Sequence, residues 1–285
     1  MAAAAAQEVR VSVRSVAGEV LELDLGAETT FAELKFEIAE CWAVPPACQR
    51  LLVDNALAVD SEALADHSPA EANSLAVTML LSLEPLMQDL AEGADAQRQR
   101  LALESLGELG PKGGEDAAAA VLARLQSPHE DWQVRLAAVQ AMGQVAGRDD
   151  GGAIAALAAC LGDGFGDVRQ AAVGALARVA GVGHGGAIAA ACAQLEHDEW
   201  GARCAALRVL ERIAPADDER AVEEAGARLE HPAPRVRYAA AQALQVVGKG
   251  RPKAAAAACA RAEHASAGVR ASALQALAPR VRSWS

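Results

Sequence analysis

A segment of about 34 residues recurs along the C-terminal part of the chain, and this period constrains the fold more than any other feature. Each copy contains an aligned arginine, the second residue of VRQAAVGALARVAG, with small residues two and three places after it and mostly aliphatic residues four and seven places after it. Successive arginines are separated by 34, 34, 34 and 33 residues: Arg135, Arg169, Arg203, Arg237 and Arg270. Such a period predicts helical units that stack side by side and share one long core.

A second alanine-rich segment lies between successive copies, for example GAIAALAACL, and glycine-rich turns such as GRDDGG separate the two segments of each pair. Alanine favours helices and close helix packing, in line with 52% hydrophobic but only 3% aromatic residues. A degenerate earlier copy has Gln99 at the arginine position. The pattern resembles HEAT repeats, including the short variety of phycobilisome-lyase-type proteins. This resemblance implies an all-α solenoid of about five to six repeats over residues 84–285.

The first 83 residues follow a different pattern. VRVSVR and VLELDL alternate polar and apolar residues on either side of a turn at Gly18, which predicts a β-hairpin. TTFAELKFEIAECW predicts a helix, because Thr29 or Thr30 can cap it with Glu33 and the apolar residues fall on one stripe. The prolines of AVPPACQRLLVD then end the helical region, and QRLLV and SLAVTMLLS read as further strands. This order predicts an α+β domain of the β-grasp type over residues 9–83, after a disordered tail at 1–8.

The segment from Val9 to about Ser82 resembles ubiquitin and ubiquitin-like domains, and VPPACQRLLV carries the most specific part of the resemblance. The resemblance implies that the family's aliphatic recognition patch falls on Val16, Leu52, Ala76 and Thr78. The segment continues into LSLEPLMQDL without a Gly-Gly tail, and Lys35 is its only lysine. A built-in docking module is therefore expected rather than a conjugated modifier.

Charge and cysteine content limit the class of protein. The net charge is −12, and residues 1–83 carry −9 of it, from 13 Asp and Glu against 4 Lys and Arg. An acidic surface disfavours nucleic acid and favours basic protein partners. The six cysteines form no Cys-x-x-Cys pair and lie among Ala and Leu, which predicts free thiols in a reduced compartment, cytoplasmic or nuclear. No membrane span and no secretory signal are expected.

Three sets of solenoid residues recur in phase and are candidates for binding. Trp132 and Trp200 lie three places before the aligned arginines, where they either stack a partner or pack a loop. Of the arginines, Arg135, Arg169 and Arg237 are the candidates for an acidic peptide, although bonding to a neighbouring loop is the expected role of most copies. The position six places before each arginine holds His129, Asp163, His197, His231 or His264. One histidine per repeat does not converge on a metal, so we expect these residues to bond to loop backbone.

Motifs of catalysis are missing from the sequence. GDGFGD lacks the Lys-Ser or Lys-Thr of a P-loop, no Gly-x-Ser-x-Gly elbow occurs, and the helices start without the His-Glu dyads of HEAT-repeat metal hydroxylases. No catalytic residue, cofactor or metal is expected. The sequence therefore favours a non-enzymatic protein–protein interaction adaptor, in which the ubiquitin-like domain docks a receptor or proteasome-type partner and the solenoid docks another protein. The alternatives are a phycobilin-lyase-like chromophore lyase or chaperone subunit, and a structural subunit of a larger complex.

Overall fold

The computed structural model describes residues 8–68, 74–91, 94–127, 131–248 and 252–278. The chain divides into two compact units, residues 1–113 and 114–285. Most of the tail predicted at residues 1–8 lies outside the described ranges, but Glu8 already belongs to the first strand. None of the helices in the described ranges combines the length and hydropathy needed to cross a bilayer.

The first unit contains one mixed sheet of five strands in the order β2-β1-β5-β3-β4. β1 and β5 run parallel at its centre, and the other neighbouring strands are antiparallel. This order, wrapped on one helix, is the predicted β-grasp. The strands are β1 Glu8–Ser15, β2 Val20–Gly26, β3 Gln49–Val53, β4 Ala56–Leu57 and β5 Ser74–Leu81.

Helix α1, Phe31–Trp42, supplies the core of the sheet domain. The predicted capping box is present, since the Thr30 hydroxyl accepts a hydrogen bond from the Glu33 amide and the Glu33 carboxylate accepts one from the Thr30 amide. Phe31, Leu34 and Ile38 are fully buried against the inner face of the sheet, as the helical spacing predicts.

The stretch between α1 and β3 explains the two prolines. The helix ends at Ala43, which has the left-handed conformation (φ 48°) and donates its amide to the carbonyl of Ala39. Pro46 then opens a short 3-10 turn that ends at Cys48, one residue before β3 begins. The prolines therefore start the return to the sheet rather than end the helix themselves.

Two further helices complete the first unit: α2 Glu84–Asp89 and α3 Ala96–Leu109. Lys112, just beyond α3, donates its Nζ to the carbonyl of Trp42 at the end of α1. The first compact unit thus extends past residue 84, where the sequence pattern changes. The domain boundaries read from the sequence stay predictions, because compactness and repeat pattern divide the chain at different places.

The second unit is a succession of paired helices, as predicted for a solenoid. First helices pack against first helices of the neighbouring pairs, and second helices against second helices. The helices are α4 Gly114–Leu125, α5 Trp132–Val145, α6 Gly151–Ala159, α7 Gly166–Val179, α8 Gly185–Ala193, α9 Trp200–Ile213, α10 Glu219–Arg228, α11 Pro234–Gly248, α12 Pro252–Cys259 and α13 Ala267–Leu277.

Alanine and a ridge of aliphatic residues form the core between the helix pairs. Ala172, Ala206 and Ala240, three places after their arginines, are fully buried, and Val173 and Leu210 represent the aliphatic ridge. The corresponding ridge of the last copy is open instead: Leu274 is 60% and Leu277 is 40% exposed. Pro279 and the residues after it lie outside the described ranges.

Candidate protein-interaction surfaces

The outer face of the sheet carries a row of side chains that crosses four strands. Arg14 on β1 pairs with Thr78 on β5, Thr78 pairs with Leu52 on β3, and Leu52 pairs with Leu57 on β4. The register therefore brings together Leu52 and Thr78, two of the residues that the sequence analysis selected. Opposite residues of neighbouring strands have their Cβ atoms about 5 Å apart, so these side chains present one continuous surface.

Exposed apolar side chains lie at both ends of this row and in the adjoining turn. Val16, in the β1–β2 turn, is 76% exposed, Val20 at the start of β2 is 51% exposed, and Leu57 is 56% exposed. Ala76 is also exposed, one row away opposite Ser12. Val20 and Leu57 were missed by the sequence analysis; the alternation of VLELDL gave a usable signal for Val20 but not for Leu57, whose strand has two residues. We call Val16, Val20, Leu52, Leu57 and Thr78 the sheet patch.

Only some of the charged side chains on the same face have a hydrogen-bond or ion-pair partner. Arg10 pairs with Asp24 at 3.1 Å, and the Ser12 hydroxyl donates to the Glu22 carboxylate at 2.7 Å. Arg14 makes no side-chain hydrogen bond or ion pair with the described residues, and it lies within the row. The sheet patch therefore combines apolar area with an unneutralised cation.

The aligned arginines of the second unit, which we call the arginine ladder, form hydrogen bonds with the loops that precede their own helices. The Nη1 atom of each of four arginines donates to the carbonyl oxygens of the residues six and five places earlier, at 2.6–3.0 Å. These arginines are Arg169, Arg203, Arg237 and Arg270. The expected structural role of most copies is confirmed for these four.

Two of these arginines also fill the space against the next repeat. A Cβ atom at Gly201 would lie 2.6 Å from Nη2 of Arg169, and one at Gly268 would lie 2.6 Å from Nη2 of Arg237. Glycine at these positions therefore lets the guanidinium groups pack onto the following helix. The use of Arg169 and Arg237 as sites for an acidic peptide stays a prediction, and it competes with these scaffold contacts.

The residues six places before the arginines tie down the start of each first helix. Nδ1 of His197, His231 and His264 accepts a hydrogen bond from the amide two residues later, at 3.0–3.1 Å. Asp163 does the same with its Oδ1 and the Phe165 amide, at 2.8 Å. The predicted backbone-bonding role is confirmed for these residues, and His129 lies outside the described ranges.

Arg135 bonds to a side chain of the next repeat. Its Nε and Nη2 donate to the two carboxylate oxygens of Asp163 at 2.6 and 3.0 Å, and Asp163 is only 8% exposed. Burial raises the pKa of Asp163, but the hydrogen bonds from Arg135 and the Phe165 amide outweigh it, so the net pKa is lowered. The hydrogen bonds that Arg135 donates to Asp163 raise the pKa of Arg135.

Aromatic side chains gather beside this ion pair. The rings of Trp132 and Phe165 stack with centroids 5.4 Å apart and planes 13° apart, and the Arg135 guanidinium lies 5.7 Å from the Phe165 ring centre. Trp132 thus packs against a neighbouring loop. Phe165 remains 48% exposed, and Trp200 in the next repeat is 62% exposed. We call Trp132, Phe165 and Trp200 the aromatic edge; Phe165 was missed because its place in the repeat holds no aromatic residue elsewhere.

The repeat pattern has a direct counterpart among known families. A family model described as HEAT repeats matches residues 83–177 and 188–278, more than half of the chain. The chain belongs to the HEAT-repeat family. In four of the HEAT units a loop is closed by hydrogen bonds from the aligned arginine, and proteins of this architecture typically serve as protein-interaction scaffolds.

The sheet domain has a more distant counterpart. A solved structure of ubiquitin from Caldiarchaeum subterraneum is similar to this chain, with 17% identity over 26% of this chain and 92% of that chain and a TM-score of 0.24. No curated protein matches the sequence significantly. The ubiquitin-like assignment is therefore carried by the strand order, the capped helix and the VPPACQRLLV stretch of this chain.

A second recurring contact joins consecutive HEAT units, and the sequence analysis missed it. Asp149, Gly183 and Asp217, each 34 residues from the last, occupy left-handed turns between paired helices (φ 61°, 84° and 64°). Their amides donate to the carbonyls of Val179, Ile213 and Val247 at the ends of the next first helices, at 2.7–2.8 Å. Because two different residue types share the role, only the common spacing could have revealed it.

Three of the cysteine thiols have raised pKa values. Burial raises the pKa of Cys48 and of Cys160 to about 11 and that of Cys192 to about 12. These thiols stay protonated and weakly nucleophilic at neutral pH. Cys41 and Cys259 are exposed, unlike the small core residues that the sequence pattern predicted. Within the described ranges, no three His, Cys, Asp or Glu side chains gather as a metal site would require.

Proposed function

We propose that this protein is a non-catalytic adaptor that joins two protein partners, one on the ubiquitin-like sheet and one on the HEAT solenoid. The observation that carries the proposal is the sheet patch: Val20, Leu52, Leu57 and Thr78 lie with Arg14 in one row across the five strands, and Val16 lies in the adjoining β1–β2 turn. Val16, Val20 and Leu57 are 51–76% exposed. Contiguous exposed apolar area beside polar residues is typical of protein-binding surfaces.

The partner of the sheet patch would offer an apolar side chain beside a single carboxylate. The apolar side chain would cover Leu52 and Leu57, and a carboxylate would pair with Arg14, which lacks a partner among the described residues. By its resemblance to ubiquitin, the domain would dock a receptor or proteasome-type protein. Ala76 and Thr78 would contribute contact area without a strong anchor of their own.

The aromatic edge is the proposed surface for the second partner. Phe165 and Trp200 expose large apolar areas at the starts of successive first helices, and aromatic residues are enriched in the centres of protein interfaces. Arg135 and Asp163 neutralise each other beside them, so apolar contact would dominate there. The free thiols agree with a reduced compartment, and we place the protein in the cytoplasm or nucleus as part of this proposal.

Affinity capture with matched variants tests the sheet patch. Val16→Glu and Leu57→Glu place a charge in the patch, whereas Val59→Glu places the same charge at a site of similar exposure (53%) outside it. Full-length wild type and Val59→Glu should recover the same specific proteins, quantified by mass spectrometry, and both patch variants should lose a common subset. Recovery of identical proteins by all four chains would contradict the proposal.

The aromatic edge is tested in the same experiment. Phe165→Ala and Trp200→Ala remove exposed rings, and Val182→Ala is the control, since Val182 is 74% exposed and lies in a turn between paired helices. The edge variants should lose a different subset from the one lost by the patch variants. Loss of the same subset from both surfaces would mean that one partner spans them, and the two-partner adaptor would be wrong.

A further inference from the structure

The sheet domain also contains a cleft, which lies away from the sheet patch. It is a cleft of about 310 Å³ between α1, the 3-10 turn that opens at Pro46, and the start of β3. This volume is at the lower end of the range of about 300–1,000 Å³ that small-molecule sites occupy. Its walls are the Phe36 ring and Pro46, and its polar residues are Lys35, Gln49 and Arg50, with Asp60.

Two cationic side chains line the cleft, and only one of them is available to bind an anionic ligand. Lys35 is nearly buried and pairs with Asp60 at 2.5 Å, so these two charges cancel. Arg50 is half-buried and makes no side-chain hydrogen bond or ion pair with the described residues. A guanidinium group in this position offers paired N–H donors to a carboxylate.

One of the residues that line the cleft is the buried Gln49. Gln49 is 1% exposed, and its Nε2 donates to the carbonyls of Lys35 and Val44, both at 2.8 Å. Its Oε1 has no hydrogen-bond partner among the described residues. A buried acceptor without a donor is costly, so a ligand N–H that reaches Oε1 would be favoured there.

The apolar wall is unusually open for an aromatic side chain. Phe36 is 63% exposed, although its neighbours Phe31, Leu34 and Ile38 on the same helix are fully buried. An apolar side chain or ring laid against Phe36 and Pro46 would remove this area from water. Residues 1–83 carry a net charge of −9, which disfavours a ligand with more than one negative charge.

We propose that this cleft binds a small apolar monocarboxylate that also carries an amide N–H, as an N-acylated apolar amino acid or the C-terminal residue of a peptide does. Its carboxylate pairs with Arg50, its N–H faces Gln49, and its side chain packs on Phe36 and Pro46. The proposal does not depend on the adaptor function, because Val16, Val20, Leu52, Leu57 and Thr78 do not line the cleft.

The test is a titration of the isotope-labelled full chain, followed by NMR, with N-acetyl-L-phenylalanine as the probe. We expect saturable shifts of the amides of Lys35, Gln49 and Arg50. The neutral analogue N-acetyl-L-phenylalaninamide should bind about tenfold more weakly, because it loses the charge-assisted hydrogen bonds to Arg50. Absence of saturable shifts at these residues, or equal affinity of the acid and the amide, would overturn the proposal.

Two matched pairs of variants test the assigned contacts. Arg50→Gln should weaken binding of the acid about tenfold and erase its preference over the amide, whereas Arg14→Gln makes the same charge change on the outer sheet face and should leave both unchanged. Phe36→Ala should weaken binding of the acid and the amide equally, and Leu57→Ala should affect neither. Equal losses within either pair would mean that the probe binds by general charge or apolar area, and the proposed site would be wrong.

A further arm distinguishes the two sources of the same chemistry. The peptide Gly-Gly-Gly-Phe with a free C-terminus presents the carboxylate, the N–H and the ring on a chain. Binding of this peptide at least as tightly as N-acetyl-L-phenylalanine, with the same Arg50 dependence, would support a peptide terminus as the ligand. Binding of the acylated amino acid alone would support a free small molecule.

Discussion

The ubiquitin-like sheet and the HEAT solenoid bury their apolar residues in different ways. The sheet domain concentrates large side chains around one helix, with Phe31, Leu34, Ile38 and Leu51 at 0–1% exposure. The solenoid spreads burial over many small residues, such as Ala172 and the equivalent alanine of each following repeat. One core depends on a few large side chains, whereas the other is shared between neighbouring units. The two regions should therefore respond differently to the loss of a single side chain.

The largest difference should follow removal of one core side chain from each region. Phe31→Ala should lower the stability of the sheet domain by about 3–5 kcal/mol, because it removes a large, fully buried side chain from the core around α1. Val173→Ala in the solenoid should cost about 2 kcal/mol, since it removes less volume from a core shared with adjacent repeats.

Amide hydrogen exchange on the full chain separates the two responses. Phe31→Ala should reduce protection throughout β1 to β5, and Val173→Ala should reduce it mainly in α5, α7 and α9. Loss of protection along the whole solenoid after Val173→Ala would contradict the view that burial is shared locally.

The next effect concerns the ion pair of Arg135 with Asp163, which joins two repeats beside Trp132 and Phe165. Asp163→Asn should lower stability around α5 and α7 by about 2 kcal/mol at neutral pH, because Asp163 is nearly buried and Arg135 would lose its carboxylate. The folded-state pKa of Asp163 is lowered below its ordinary 3.8. Its contribution is therefore complete above the unfolded pKa and is lost as the pH falls through the folded pKa.

Denaturant unfolding of wild type and Asp163→Asn across this pH range measures the contribution. The gap in stability between them should be constant above about pH 5 and should shrink as the pH falls below 3.8. A gap that does not change with pH would show that the aspartate acts by shape rather than by charge.

A smaller effect is expected for the loop-closing arginines, which bond to neutral carbonyls. Arg203→Gln removes two hydrogen bonds to the carbonyls of His197 and Asp198 and should cost about 1–2 kcal/mol. Arg212→Gln, on the exposed side of the same helix, is the matched control and should cost less than about 0.5 kcal/mol. Exchange of the amides between His197 and Trp200 should speed up in the first variant alone, and equal exchange in both would contradict the ladder.

The smallest effect is a difference in the sign of the stability change when each of two glycines in solenoid helices is replaced by alanine. A Cβ at Gly143 would lie 2.9 Å from Cβ and 3.1 Å from Cα of Ala175, so Gly143→Ala must push α5 and α7 apart. A Cβ at Gly174 meets nothing within 4 Å, so Gly174→Ala should raise stability by about 0.5–1 kcal/mol through helix propensity. Thermal unfolding measures both, and stabilisation by Gly143→Ala would mean that the helices are packed less closely than described.

Whether a feature could be predicted from the sequence depended on how far apart along the chain its interacting residues lie. The capping box of Thr30 and Glu33, the buried stripe of α1 and the strand QRLLV were predicted correctly, because they depend on residues within a few positions of each other. The histidine and arginine bonds to the loops were predicted correctly for a similar reason, since each arginine reaches carbonyls five and six places earlier.

Contacts between distant residues could not be read in the same way. Leu57 joins Leu52 and Thr78 because β3 pairs with β4 on one side and β5 on the other, and Phe165 meets Trp132 and Arg135 because two repeats stack in one register. Nothing in the spacing of these residues indicates the contacts. The cleft beside Phe36 is similar, since it combines α1, a proline turn, a strand start and the loop that holds Asp60.

Local hydrogen bonding, helix propensity and the 34-residue period were enough to define a β-grasp domain and a stack of paired helices from the amino-acid order alone. The surfaces that can bind a partner depended on folding in three dimensions: which strand lies beside β3, which loop Phe165 packs on, and which charge Arg50 is left without. Local interactions join residues a few positions apart, so the spacing of residue types along the sequence predicts them. The exposure and pairing of a side chain depend on everything packed around it, and most of those neighbours are far away along the chain.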